Sequence, residues 1–218
     1  MKDKDLKIKD AVEFYFEMRE LKQLIRQGAV QWKVNRPRFE SDAEHIALTE
    51  TLAIALADQL NLREEFDMGY LLNMINFHEI GELKIGDLTI YNNPDTKDKH
   101  AKELAHAKQL LKNLKSCDYF VNMINDFNNG FTLEARFAKA CDKLENVLEF
   151  KRYCDEHAVS IENASPEMLN FPKVKVLLDR GINSLDDIWY FYHLPSFEYL
   201  GFDKDTWYNC IKPMDSGL

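Results

Sequence analysis

From Met68 to Asn76 the chain is an almost unbroken apolar run in which only Asn73 and Asn76 are polar. The ten residues His78 to Asp87 that follow shortly after carry one imidazole and three carboxylates, Glu79, Glu82 and Asp87. An apolar run of that length must be covered by other elements. The charges beyond it must then be ion-paired, bound to a cation or placed at a cleft, because buried charges without partners are strongly disfavoured. The pattern reads as a buried helix that ends in a charged cluster.

The rest of the chain reads as helix. Gly and Pro are sparse, 8 and 6 in 218 residues, which permits long helices. Residues 2–10, mostly Lys and Asp, read as a frayed start. A helix is expected from Ala11 to about Gln27 through Phe14, Met18, Leu21, Leu24 and Ile25, with Gly28 ending it. Ala29 to Glu40 reads as a loop carrying Arg36 and Arg38. Ser41 or Asp42 can cap a helix to about Leu60, and a third helix is expected from Arg63 to Ile80. Gly81 to Lys99 reads as a long loop. Helices then follow over Lys102–Lys115, Tyr119–Phe127 and, capped by Thr132, Leu133–His157. After Val159 the composition turns proline-punctuated and aromatic, with helical pieces at Lys173–Arg180 and Leu185–Phe191. The expected fold class is all-α, with a main helical bundle over 1–158 and an aromatic-rich helical extension over 159–218 packed on it.

Charge and cysteine usage narrow the function. A net charge of −9 argues against a duplex nucleic-acid surface, which needs clustered Lys and Arg. The apolar runs are too short to cross a bilayer. Cys117, Cys141, Cys154 and Cys210 include no C-x-x-C pair, and no apolar signal region lies near Met1, so reduced thiols and a cytoplasmic protein are expected.

On a helical wheel His45 shares a face with Leu48, Leu52 and Leu56, and His78 neighbours Leu71, Met74 and Ile75. Two inward histidines can therefore face each other across a helix pair. Two imidazoles with carboxylates suit a divalent ion, with Mn, Co, Fe, Zn or Mg as the candidates. Such a site with an open position would polarise a phosphoryl oxygen and activate water. By periodicity alone Asp142 reads as a surface residue, and Lys84 as a surface charge.

The ordered stretches Ala43-Glu44-His45, His78-Glu79-x-x-Glu82 with Gly86-Asp87, and Glu134-Ala135-Arg136-Phe137-x-Lys139-x-x-Asp142-Lys143-Leu144-Glu145 resemble the HD superfamily of metal-dependent phosphohydrolases. The 5'-deoxynucleotidase-like branch, with its R-x-G-W, E-S-x-(A/S)-(E/D)-H, H-D-x-x-E-x-x-x-G-D and E-A-R-x-x-K-x-x-D-K-L-E motifs, is the nearest pattern. The resemblance covers about Leu21 to Phe150. It implies metal ligands at His45, His78, Glu79 and Asp142, and catalytic roles for Glu82 and Asp87 in handling the attacking water and the leaving group. It also implies a substrate-phosphate contact at Arg26, whose planar fork suits that role. Two positions depart from the pattern: Glu79 replaces the family Asp, and Ala29 stands where the branch has Trp, with Trp32 nearby. The implied activity is removal of phosphate from a small monoester such as a nucleoside or deoxynucleoside 5'-monophosphate, with a homodimer as the implied assembly. The alternatives are hydrolysis of nucleoside triphosphates or another phosphoester, and non-catalytic nucleotide binding.

Overall fold

The computed structural model describes residues 3–87 and 96–211, so part of the expected Gly81–Lys99 loop, 88–95, lies outside the described residues. Among them every regular element is helical, and the one isolated β-bridge joins Ile25 to Ser41. The chain divides into two compact units, Met1–Arg26 with Glu40–Ala138, and Gln27–Phe39 with Lys139–Leu218.

The first unit opens with α1 (Asp3–Met18), which begins eight residues before the expected Ala11 start. Alternating charges sustain it, as in the Lys9–Glu13 pair one turn apart. The expected continuation to Gln27 does not form. A 3-10 turn (Arg19–Lys22) follows, and Leu24 and Ile25 leave the helix to pair with a distant segment. Asp42 N–H donates to Leu24 O at 3.0 Å, and Arg26 N–H donates to Glu40 O at 3.2 Å. Long-range backbone pairing thus overrides local periodicity, and Gly28 falls inside the short α2 (Gln27–Gln31) instead of ending a helix.

α3 (Asp42–Gln59) starts at a capping box. The Ser41 hydroxyl accepts from Glu44 N–H, and the Glu44 side chain accepts from Ser41 N–H. α4 (Met68–Phe77) begins later than Arg63 because the Asp67 side chain caps it, accepting from Tyr70 N–H. It is followed by one turn, α5 (Glu82–Ile85), inside the stretch read as loop. α6 (Thr96–Leu111) and α7 (Cys117–Asn129) complete this core, in which Ile80, Ala107, Leu111 and Ile124 are buried against Phe14, Met18 and Phe77. Phe77 stacks between Phe14 and Phe120 at 5.9 and 4.6 Å. Gly130 ends α7 with a positive φ of 67°, and Asp126 ties the turn by accepting from the N–H groups of Phe131 and Thr132. α8 (Leu133–Asp155) starts as expected, with Thr132 Oγ1 accepting from Ala135 N–H at 3.1 Å.

The second unit takes α2, the later turns of α8, and the short helices α9 (Pro166–Leu169), α10 (Pro172–Asp179), α11 (Leu185–Tyr192), α12 (Leu194–Tyr199) and α13 (Lys204–Ile211). Its aromatic residues form the core of the unit. Trp189 meets Trp32 edge-on at 6.0 Å and Phe150 at 5.1 Å, while Phe197 packs on Tyr190 and Trp207. Trp32 is therefore core packing within this unit.

Candidate metal centre

The end of α4 and the first turn of α3 bring His78 and His45 together. Their rings lie 5.6 Å apart, and His45 is fully buried. His78 Nδ1 lies 2.6 Å from Ile75 O, and a carbonyl only accepts, so Nδ1 carries the proton in the neutral ring. Nε2 is then the lone-pair atom. It is buried without a hydrogen-bond partner and lies 3.3 Å from Glu79 Oε1. His45 Nε2 lies 3.7 Å from the same oxygen.

These distances test whether the residues fit a cation. Donor atoms about 2.1 Å from one ion are separated from each other by roughly 3.0–3.4 Å. The spacing among His45, His78 and Glu79 is close to this, and all three offer donor atoms within 4.8 Å of one another. Two imidazoles with a carboxylate form a donor set for a first-row divalent ion. The extra methylene of Glu79 does not displace it from the cluster. Burial alone would raise the Glu79 carboxyl, but in the cation-free site positive charge on His78, and then on Arg26 and His45, outweighs burial and holds it well below the usual carboxylate range.

Arg26 reaches Glu79 because the Ile25–Ser41 bridge holds its backbone against the start of α3. Its guanidinium donates to Glu79 Oε1 at 2.8 Å and lies 3.7 Å from Asp42 Oδ1. Burial would lower its pKa, but Glu79, Asp87, Asp42 and Glu82 keep it firmly charged. Beside it, Asp42, Glu82 and Asp87 offer carboxylate oxygens within 4.8 Å of one another. Glu82 is 2% exposed; burial, followed by the Glu79 and Asp87 charges, pushes its carboxyl up, while Lys99 and Arg26 oppose the shift. Glu82 Oε1 accepts from Lys99 Nζ at 2.9 Å, and Oε2 is buried without a hydrogen-bond partner. Lys99 also pairs with Glu103 Oε1 at 3.2 Å.

Six of the expected residues, Arg26, His45, His78, Glu79, Glu82 and Asp87, thus belong to the first unit. Asp142 belongs to α8 in the second unit. It is 3% exposed, which corrects the surface position given by periodicity, and it pairs with Lys143 at 2.7 Å. Lys84 is exposed and pairs loosely with Glu17. The sequence reading missed Asp42, Lys99 and Glu103. Asp42 precedes His45 by three residues and so shares its face, but its position beside Ser41 made it read only as a cap. Lys99 and Glu103 are one turn apart on α6, a pair that resembles any surface pair until the helix is placed.

Comparison with known proteins addresses the family and the fold. A family model described as HD domain matches residues 18–174, more than half of the chain. The chain is 28% identical over 149 residues to 5'-deoxynucleotidase HDDC2 of Xenopus laevis, covering 66% of this chain and 70% of that protein. It is 25% identical over 141 residues to 5'-deoxynucleotidase HDDC2 of Homo sapiens, covering 63% and 66%. Among solved structures, the fold is similar to a protein described as a predicted metal-dependent phosphohydrolase from Magnetospirillum magnetotacticum. The TM-score is 0.58 at 24% identity, over 90% of this chain and 96% of that one. A conserved hypothetical protein from Pyrococcus furiosus aligns with a TM-score of 0.58 at 21% identity, over 81% and 98%. These two likenesses concern the fold alone. With a family model matched across that much of its length, the chain belongs to the HD superfamily of phosphohydrolases.

Proposed function

We propose that the chain is a metal-dependent phosphohydrolase that removes phosphate from nucleoside or deoxynucleoside 5'-monophosphates. The observation that carries the reading is the buried His45, His78 and Glu79 cluster with Arg26 beside it, in a chain whose curated relatives bear the name 5'-deoxynucleotidase. His45, His78 and Glu79 would hold the cation, and the E-A-R-x-x-K-x-x-D-K-L-E motif adds Asp142 to the proposed ligands. When bound, a divalent cation supplies Lewis-acid polarisation of a phosphoryl oxygen and acidifies water.

The chain's own residues supply the rest. The Ile75 carbonyl fixes the His78 tautomer that presents Nε2. Arg26 binds the phosphate and offsets its charge, a role for which the guanidinium fork is suited. Glu82 sits where burial raises its affinity for a proton, so it can take a proton from the attacking water and return one to the departing alkoxide. Asp87, held just beyond Gly86 and its positive φ of 77°, orients the water. The reading carries with it a homodimer, on the family resemblance. The free thiols Cys117, Cys141, Cys154 and Cys210 fit a reducing compartment such as the cytoplasm.

A panel of ribo- and deoxynucleoside 5'-monophosphates and triphosphates, assayed with Mn²⁺, Co²⁺ or Mg²⁺, tests the proposal. Release of inorganic phosphate and nucleoside from monophosphates supports it. Release of pyrophosphate or triphosphate, or tight binding without turnover under every metal, overturns it.

A further inference from the structure

We propose that Lys99 is a positioning residue for catalysis: it clamps one oxygen of Glu82 so that the other is the oxygen that works on protons. The inference rests on the proposed role of Glu82 and deepens it. Three observations meet at this point.

The first is the division of labour on the Glu82 carboxylate. Oε1 accepts from Lys99 Nζ at 2.9 Å, whereas Oε2 is buried without a donor in a residue that is 2% exposed, and the neighbouring carboxyl with which Glu82 can share a proton is that of Glu103. A carboxylate with both oxygens available can rotate about its last torsion, which is broad for Glu. One that is charge-paired through a single oxygen in a buried site holds one orientation, and charge-assisted bonds are the stronger kind.

The second is the way α6 is brought to the site. A Cβ on Gly81 would lie 2.6 Å from Glu103 O, 2.7 Å from Glu103 Cβ and 2.8 Å from Glu103 Cα. Glycine at 81 is therefore what lets the backbone of α6 lie against the start of α5. Glu82 is the next residue after Gly81, and Lys99 precedes Glu103 by one helical turn, so the contact at Gly81 sets the reach of Lys99 to Glu82.

The third is charge. Asp42, Glu79, Glu82 and Glu103 are buried carboxylates of this unit, with Asp87 beside them, and the lysine that enters the group is Lys99, whose side chain is 18% exposed. Glu103 steadies the same ammonium at 3.2 Å and keeps it in place when Glu82 changes its proton content.

The test is a double-mutant cycle in the full chain with Mn²⁺, using Lys99→Met, Lys99→Arg, Glu82→Gln and Lys99→Met/Glu82→Gln. kcat and KM are measured on a nucleoside 5'-monophosphate, with Mn²⁺ affinity by titration calorimetry. Lys99→Met should lower kcat by about 10- to 100-fold, the usual effect of losing such an outer partner. KM and Mn²⁺ affinity should stay within about 2-fold, since the interaction acts on the chemical step. Lys99→Arg should restore kcat to within about 3-fold. Lys99→Met should add less than about 3-fold to the loss in Glu82→Gln, since the two residues act as one unit.

Full kcat in Lys99→Met would overturn the inference. So would an undiminished effect of Lys99→Met in the Glu82→Gln background, or a loss confined to KM or Mn²⁺ affinity. Full activity in Glu82→Gln would instead remove the role of Glu82 on which the clamp depends, which separates the two failures. Should Lys99→Met not fold, failure of folded Lys99→Arg to retain kcat overturns the clamp.

Discussion

Replacing Asp42 by Asn should stabilise the cation-free protein near pH 8 and leave it almost unchanged near pH 4. Asp42 is fully buried, and neither carboxylate oxygen has a hydrogen-bond partner; Arg26 is 3.7 Å away. Burial first, and the Glu79 charge second, push its carboxyl from 3.8 to about 7 against the pull of Arg26. A carboxyl whose pKa is higher in the folded state binds its proton more tightly there than in the unfolded chain. Its contribution to stability is fully present below about pH 4 and is lost as pH rises through about 7. A shift of about 3 units at 1.36 kcal/mol each makes the loss about 4 kcal/mol by pH 8. An amide of nearly the same shape stays neutral throughout, so Asp42→Asn escapes that loss. For a chain of this size that corresponds to about 8–16 °C in Tm. Thermal unfolding followed by circular dichroism in EDTA between pH 4 and 8.5 reads the effect as a widening gap between variant and wild type. A gap that does not change with pH, or an Asp42→Asn protein less stable than wild type at pH 8, would refute the reasoning. The second outcome would mean that Arg26 attracts Asp42 more strongly than burial disfavours its charge.

Two further substitutions probe neighbouring contacts. Glu79→Ala removes the 2.8 Å partner of a partly buried guanidinium that keeps Asp42 at 3.7 Å, and should cost about 1–3 kcal/mol in urea unfolding under EDTA, whereas Glu79→Asp should cost less. Gly81→Ala forces a methyl group to within 2.6 Å of the Glu103 carbonyl oxygen and should destabilise by about 1–3 kcal/mol, read as a lower urea midpoint with unchanged slope.

How far the structure is legible in the sequence depends on whether a contact is local. The Thr132 cap is read correctly, and Ser41 is one of the two caps the sequence offers, because each is decided within about four residues. The facing of His45 and His78 also follows from periodicity, since both lie on the apolar sides of their helices. The segment from Leu21 to Ile25 is misread because its apolar spacing continues a helix, while a pairing with residues 40–42 pulls it out. α1 is read as frayed over its first turns because Lys and Asp carry no apolar period, although charges one turn apart support helix. The burial of Asp142 conflicts with the polarity around it on α8, so only the motif points to it. Asp42 and Lys99 escape notice for a related reason. Each looks like an ordinary cap or surface pair, and its partners, Arg26 and Glu82, lie 16 and 17 residues away in sequence.

His45, His78 and Glu79 are proposed as a metal centre for the hydrolysis of phosphate monoesters. The most direct test is inorganic phosphate release from a nucleoside 5'-monophosphate by protein stripped of metal and then titrated with Mn²⁺, comparing wild type with folded His78→Ala. Activity should appear with Mn²⁺ in the wild type and be absent at every Mn²⁺ concentration in His78→Ala. Turnover that persists in EDTA, or that survives His78→Ala undiminished, would contradict the proposal.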